Sequence, residues 1–229
     1  MLQGNNYRFG VIDVDGTLLD SKRLHRKVIR VCSQLSDRFD FLSQHDFLYA
    51  VSSCTLFSYS CQRLPFLKGC KKCLSVAARL DRLVLEFFNI IDIDSKGSRL
   101  FPGTREVLES LLAEGMELFA TTVSQTKKTE ERLKNAGILE FFTLVLGEDV
   151  LSKSEHVPYF AQHLGSNLRD FAPQSFYLGD SVHDMRLAKL SGLYGIGITN
   201  TVDAETLLRA GARGVITEWQ ELLKQKKPT

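Results

Sequence analysis

The sequence predicts an α/β fold in which a doubly wound parallel sheet carries helices on both faces. Three observations point to it. Apolar, strand-like runs alternate with helical patterns from about residue 100 onward, the rhythm of successive right-handed crossovers. The first run, residues 9–14, lacks the polar–apolar alternation of a half-exposed strand and fits one covered on both faces. Polar residues also gather just past several of the runs, where parallel sheets of this kind bind ligands.

The first strand delivers Asp13 and Asp15 into a Gly16-Thr17 turn. Strand side chains alternate faces, so the two acids share a face only while the strand stays regular. The turn bends the chain past the strand end, where both carboxylates can reach one pocket. Two acids ending a buried strand are costly unless something cationic is bound there.

From Ser21 to about Gly97 the texture changes. Leu24, Val28, Val31 and Leu35 recur at helical spacing, as do Cys73, Val76, Ala77, Leu80, Val84 and Phe87. With no strand–turn–strand signal between them, residues 21–97 are expected to form an inserted helical domain. Residues 1–20 and 98–229 form the α/β core.

In the core, a helix is expected over 104–114, stopped by Gly115. Next come a strand at 117–122, a helix at 127–135 and a strand at 143–146. A helix at 155–164, a strand at 175–178, a helix at 184–191 and a strand at 194–198 follow. A helix–loop–helix pattern ends at Trp219 to Leu223.

Composition narrows the function. The 229 residues are 44% apolar with a formal charge of +2, which predicts neither nucleic-acid nor membrane binding. No apolar run reaches membrane-span length, and no secretory signal is visible, so a cytoplasmic enzyme is expected. The five cysteines all fall in the inserted region and do not suggest a disulfide framework. A zinc site at Cys70 and Cys73 would need two further ligands, and small buried residues fit better. Basic side chains of the insert, among them Arg63, Lys68 and Arg79, read first as a solvated face and second as a site for a substrate anion.

The polar strand ends converge. The 117–122 strand ends in the hydroxyls of Thr121 and Thr122, and the 175–178 strand leads into Gly179-Asp180-Ser181-Val182-His183-Asp184. Asp13, Asp15, Asp180 and Asp184 are therefore expected in one pocket. Four carboxylates there require a divalent cation, and hard oxygen donors suit Mg²⁺. Lys153 is the expected counter-charge to Asp184, ahead of Lys127 and Lys128. Asp184 also suits a plain helix cap. His183 reads as a solvated helix-start residue, Glu148 and Asp149 as loop residues near the site, and Asp20 as a turn residue.

In order and spacing these residues resemble the haloacid dehalogenase superfamily, a Rossmann-like fold, and within it the phosphoglycolate phosphatase-like branch. Asp13-Val14-Asp15-Gly16-Thr17 matches its first motif, Thr122 the second, Lys153 the third and Gly179-Asp180-Ser181-x-x-Asp184 the fourth. The insert lies where that family carries a C1-type cap. Val123 and Ser154 depart from residues common in the branch.

The resemblance implies a Mg²⁺-dependent phosphatase acting on a small phosphorylated metabolite. It implies that Asp13 attacks phosphorus and forms an aspartyl-phosphate, while Asp15 protonates the leaving oxygen and then activates water. Asp13, the Asp15 backbone carbonyl and Asp180 would hold the metal, and Thr122 and Lys153 the phosphoryl oxygens. Asp184 would orient Lys153 or a metal-bound water, with Gly16 and Thr17 supporting. A carboxyl at Asp15 favours phosphate esters over dehalogenation. A β-phosphoglucomutase-type phosphomutase and a non-catalytic regulatory protein on the same fold are the alternatives.

Overall fold

The structure, a computed structural model, describes residues 7–20 and 99–224. The expected helical insert at 21–97, with all five cysteines including Cys70 and Cys73, lies outside the described residues. In chain order the elements are β1 (Phe9–Asp13), β2 (Leu19–Asp20), β3 (Arg99–Leu100), α1 (Thr104–Ala113), β4 (Glu117–Thr121), α2 (Thr126–Asn135), β5 (Leu144–Leu146), α3 (Lys153–His163), α4 (Leu168–Phe171), β6 (Ser175–Gly179), α5 (Val182–Leu190), β7 (Tyr194–Ile198), α6 (Ala204–Ala210) and β8 (Gly214–Ile216). Among the described residues, no helix is long and apolar enough to cross a membrane.

The main sheet is parallel throughout, in the order β5-β4-β1-β6-β7-β8. The chain winds outward from β1 through β4 to β5, then returns to the other side of β1 through β6, β7 and β8. β1 therefore sits where the winding reverses, the position at which open α/β sheets form their binding crevice. β2 and β3 make a small antiparallel pair. Asp20 belongs to this pair rather than to a turn.

Strand parity assigns each side chain to a layer. Phe9 and Val11 point to the face covered by α3, α5 and α6, where they meet Phe160, Met185 and Leu207. Ile12 and Val14 point to the face covered by α1, α2 and the 3₁₀ turn Trp219–Lys224, among Leu108, Leu111, Leu133 and Trp219. The same two-residue period divides β4, with Phe119 on the first face and Leu118 and Ala120 on the second. Burying one such apolar side chain contributes roughly 1.5–3 kcal/mol, so both layers resist a register slip of one residue.

Three expectations are corrected. β1 stops at Asp13, because the Val14 carbonyl accepts the N–H groups of Leu18 and Leu19, each at 3.0 Å, and leaves the ladder. The last helix of the expected helix–loop–helix is a 3₁₀ turn. Between it and α6 lies β8, whose three residues are too few to show a period.

Candidate active site

By parity Asp13 continues the face of Phe9 and Val11, so its carboxylate meets the N-terminal ends of α3 and α5. Lys153 is the first residue of α3. Its Nζ donates to Asp13 Oδ1 at 2.5 Å and to Asp184 Oδ1 at 2.8 Å, and all three side chains are buried. Tyr177, on the same face of β6, donates its hydroxyl to Asp184 Oδ1 at 3.1 Å. Asp184 Oδ2 accepts from the Ser181 backbone N–H at 3.1 Å and the Ser181 hydroxyl at 2.5 Å, while the Ser181 hydroxyl accepts from the Asp184 N–H. Both readings of Asp184 thus hold at once: it closes a capping box on α5 and fixes the Lys153 ammonium.

Asp180 follows β6 directly and approaches Asp13 from the other side. The Thr17 hydroxyl lies 3.2 Å from Asp13 Oδ2 and 3.3 Å from Asp180 Oδ1, and its single proton serves one of them at a time. Asp180 Oδ2 accepts from the Thr201 hydroxyl. Two glycines make this closeness possible. Gly16 has φ 86°, and a Cβ there would overlap the Asp180 carboxylate; a Cβ on Gly179 would overlap Asp184. The turn is held from outside as well, by Asn200 Nδ2 on the Gly16 carbonyl at 2.8 Å and Trp219 Nε1 on the Thr17 carbonyl at 3.1 Å.

Among the described residues, Asp13, Asp180 and Asp184 each offer a carboxylate oxygen, and these atoms lie within 4.8 Å of one another. Three carboxylates against one ammonium leave two negative charges in a buried space. Burial pushes the Asp13 carboxyl well up; Lys153 opposes the rise, while Asp184 and Asp180 add to it. Burial likewise raises Asp180 against the pull of Thr201, with Asp184 adding to the rise. For Lys153, burial favours the neutral amine, but Asp13 and Asp184 outweigh it and hold the ammonium. Burial disfavours Asp184 ionisation, yet Lys153 and its other donors keep its carboxyl below the usual range. The donor set therefore fits a hard divalent cation at Asp13 and Asp180, the pair whose charge is least compensated. Asp184, with four donors on its two oxygens, is committed to Lys153.

Asp15 is the departure from expectation. Its carboxylate is not in that cluster and turns the other way, toward β4 and α2. Arg132, on α2 and only 7% exposed, grips it with both terminal nitrogens: Nη1 lies 3.2 Å from Oδ2, and Nη2 pairs with Oδ1. Thr122 and Ser124 hydroxyls add donors to Oδ2 at 3.3 and 3.1 Å, and the Ser124 N–H fixes the Thr122 oxygen at 3.0 Å. Burial would raise the Asp15 carboxyl, but Arg132 and the two hydroxyls bring it below the usual carboxylate range. The physical reason for the split is the turn: once Val14 leaves the ladder, parity no longer ties Asp15 to the face of Asp13.

Asp13, Thr17, Lys153, Asp180 and Asp184 are thus brought together, and Asp15 meets Thr122 beside them. Glu148 and Asp149 lie in the loop after β5, as expected, and their carboxylates reach the starts of two helices: Glu148 accepts the Lys153 N–H at 2.9 Å, and Asp149 accepts the Thr126 N–H at 2.7 Å. His183 is exposed, as expected, and Lys127 is exposed too. Sequence reasoning missed Arg132, Ser124, Tyr177 and Thr201. A signal existed for Tyr177, two residues before Gly179 on the strand and hence on its face. None existed for Arg132, one basic residue among several on a polar helix.

The haloacid dehalogenase-like hydrolase family profile matches residues 11–198, well over half of the chain. A probable phosphatase, IndB of Dickeya dadantii, is 30% identical over 119 residues, covering 52% of each chain. A phosphoglycolate phosphatase of Rhodobacter capsulatus is 26% identical over 189 residues, covering 80% of each. The chain spans about half the length of several other curated relatives that it matches. A haloacid dehalogenase-like family hydrolase from Streptococcus pneumoniae superposes with a TM-score of 0.68 at 20% identity, over 96% of this chain and 98% of that one. The family profile, the parallel sheet wound about β1 and the four motifs meeting at its carboxyl end agree: the chain belongs to the haloacid dehalogenase-like hydrolases.

Proposed function

We propose that this chain is a Mg²⁺-dependent phosphatase that hydrolyses a small phosphorylated metabolite through a phosphoryl group carried on Asp13. The observation that carries the reading is the setting of Asp13. It is a buried carboxylate at the carboxyl end of the central strand, with the Lys153 ammonium 2.5 Å from one oxygen and a hydroxyl shared with Asp180 at the other. Phosphoglycolate phosphatases among the relatives support the substrate class.

Asp13, Asp180 and the Asp15 backbone carbonyl would hold Mg²⁺, which supplies the positive charge that lets a carboxylate approach an anionic phosphate. An Asp13 oxygen attacks phosphorus, and the bond from phosphorus to the leaving oxygen breaks as the new one forms. Lys153 and Thr122 bear on the equatorial oxygens, where charge lies during transfer. Asp184 keeps the ammonium in place. Asp15 gives a proton to the leaving oxygen, then takes one from the water that attacks the aspartyl-phosphate and restores Asp13.

The test is phosphate release from p-nitrophenyl phosphate and a panel of phosphometabolites, with and without Mg²⁺. Turnover that needs Mg²⁺ and is lost in Asp13→Asn is expected. No turnover by the wild type, or Asp13→Asn matching it, would overturn the reading. A phosphomutase would instead return the phosphoryl group to a sugar hydroxyl, and a regulatory protein would release none.

A further inference from the structure

We propose that Thr201 is a positioning residue that sets which divalent cation the site accepts: its hydroxyl occupies one oxygen of Asp180, so this carboxylate offers a cation only the other. The inference rests on the reading of Asp13 and Asp180 as cation ligands and goes beyond it to the choice of ion. The observation is that each of these carboxylates has one oxygen committed and one shared. Asp13 Oδ1 takes the Lys153 ammonium, and Asp180 Oδ2 takes the Thr201 hydroxyl. Asp13 Oδ2 and Asp180 Oδ1 instead face the Thr17 hydroxyl, at 3.2 and 3.3 Å, with one proton for both. Those two oxygens, one from each acid, are the ones left for a cation.

The loop after β7 is built to hold Thr201 in place. The Thr199 N–H donates to the Ile216 carbonyl at 3.1 Å, and the Asn200 N–H turns back to the Ile198 carbonyl at 2.9 Å. Asn200 Nδ2 reaches the Gly16 carbonyl at 2.8 Å, so adjacent residues of one loop hold the turn after Asp15 and the carboxylate of Asp180. Gly16 crowds the same oxygen that Thr201 occupies: Oδ2 is the Asp180 atom a Cβ at Gly16 would strike first. A carboxylate confined to one oxygen suits Mg²⁺, which demands near-ideal octahedral geometry and keeps several waters. Ca²⁺ takes about six to eight oxygens and is often held by both oxygens of one carboxylate. Binding Ca²⁺ that way at Asp180 breaks the Thr201 hydrogen bond; binding Mg²⁺ leaves it intact.

The test is calorimetric titration of the full chain with MgCl₂ and with CaCl₂, without substrate, in the wild type, Thr201→Val, Thr201→Ala, Thr201→Ser and Thr206→Val. Thr206 is the control, a nearby hydroxyl that donates to Asp203 rather than to Asp180. The wild type is expected to bind Mg²⁺ more tightly than Ca²⁺. The ratio of the two dissociation constants should fall by about tenfold in Thr201→Val and Thr201→Ala, as for one hydrogen bond to a charged group. Thr201→Ser, which keeps the hydroxyl, and Thr206→Val should hold the wild-type ratio. Thr201 is exposed on a loop, so both apolar variants are expected to fold, which circular dichroism checks. Equal changes in the two affinities would overturn the proposal, because a merely structural role moves them together. So would an equal fall in Thr206→Val, or a wild type that binds Ca²⁺ at least as tightly as Mg²⁺. A wild type that binds neither cation would overturn the cation site and the proposal with it. The titration needs no turnover, so its outcome is separate from that of the phosphatase assay.

Discussion

The two sides of the first motif are built on different physics. On the α3/α5 side, Asp13, Lys153, Asp184 and Tyr177 form a closed web in which every member is buried and every charge is held by another. On the β4/α2 side, Asp15, Thr122, Ser124 and Arg132 form a smaller cluster whose carboxylate keeps some exposure. The first side is tightly tied, since removing Lys153 strands two buried carboxylates. The second can rearrange, because its carboxylate has water near it. The difference suits the proposed division of labour, with fixed geometry for attack on one side and a movable group for proton transfer on the other.

The largest expected effect is on the rigid side. Asp13→Asn should lower turnover of p-nitrophenyl phosphate by roughly three orders of magnitude or more, as removal of a covalent nucleophile does, with little change in fold by circular dichroism. Next is stability. Lys153→Met leaves Asp13 and Asp184 buried without their cation and should cost about 3–5 kcal/mol in urea denaturation. Arg132→Met should cost less, about 1–3 kcal/mol, since Asp15 keeps two hydroxyl donors and partial exposure. Equal costs at the two positions would break the comparison.

How much of this was legible from the sequence follows the same division. Motif spacing found Asp13, Lys153, Asp180 and Asp184, because each sits at the end of a strand or the start of a helix where backbone geometry dictates direction. The alternation of strands and helices from β4 to β7, and hence a doubly wound parallel sheet, was legible for the same reason. Arg132 was not, because it lies ten residues beyond Thr122 on a helix whose exposed face is also charged. Only the packing of α2 against the sheet shows which of its basic residues turns inward. The destination of Asp15 was missed because it depends on where β1 ends, and that is set by the Val14 carbonyl leaving the ladder for the turn.

Metal binding should sharpen the contrast with a smaller effect. Mg²⁺ at about a hundred times its dissociation constant should raise stability by about 2.7 kcal/mol, and EDTA should remove the gain, as read by thermal denaturation. The gain should vanish in Asp180→Asn and persist in Arg132→Gln. A gain that Arg132→Gln abolishes would place the cation on the wrong side.

The smallest effect is titration of His156, fully buried against Thr121 with its ring 2.7 Å from the hydroxyl. Burial holds its pKa below the ordinary value, with Lys153 adding to the drop against the backbone carbonyl of Leu151. The unfolded chain therefore takes up the proton first as pH falls. The contribution of His156 to stability should be level above about pH 6.5 and decline below it, until the folded protein also protonates. His156→Gln should flatten that decline in melting temperatures measured from pH 7.5 to 5.5. An unchanged slope would assign it to other groups.

The most direct measurement is acid-quenched mass spectrometry of the protein caught during turnover of p-nitrophenyl phosphate with Mg²⁺. A phosphoryl adduct on the peptide carrying Asp13, absent in Asp13→Asn, is the expected result. Turnover with no adduct at Asp13, or an adduct on another residue, would contradict the account.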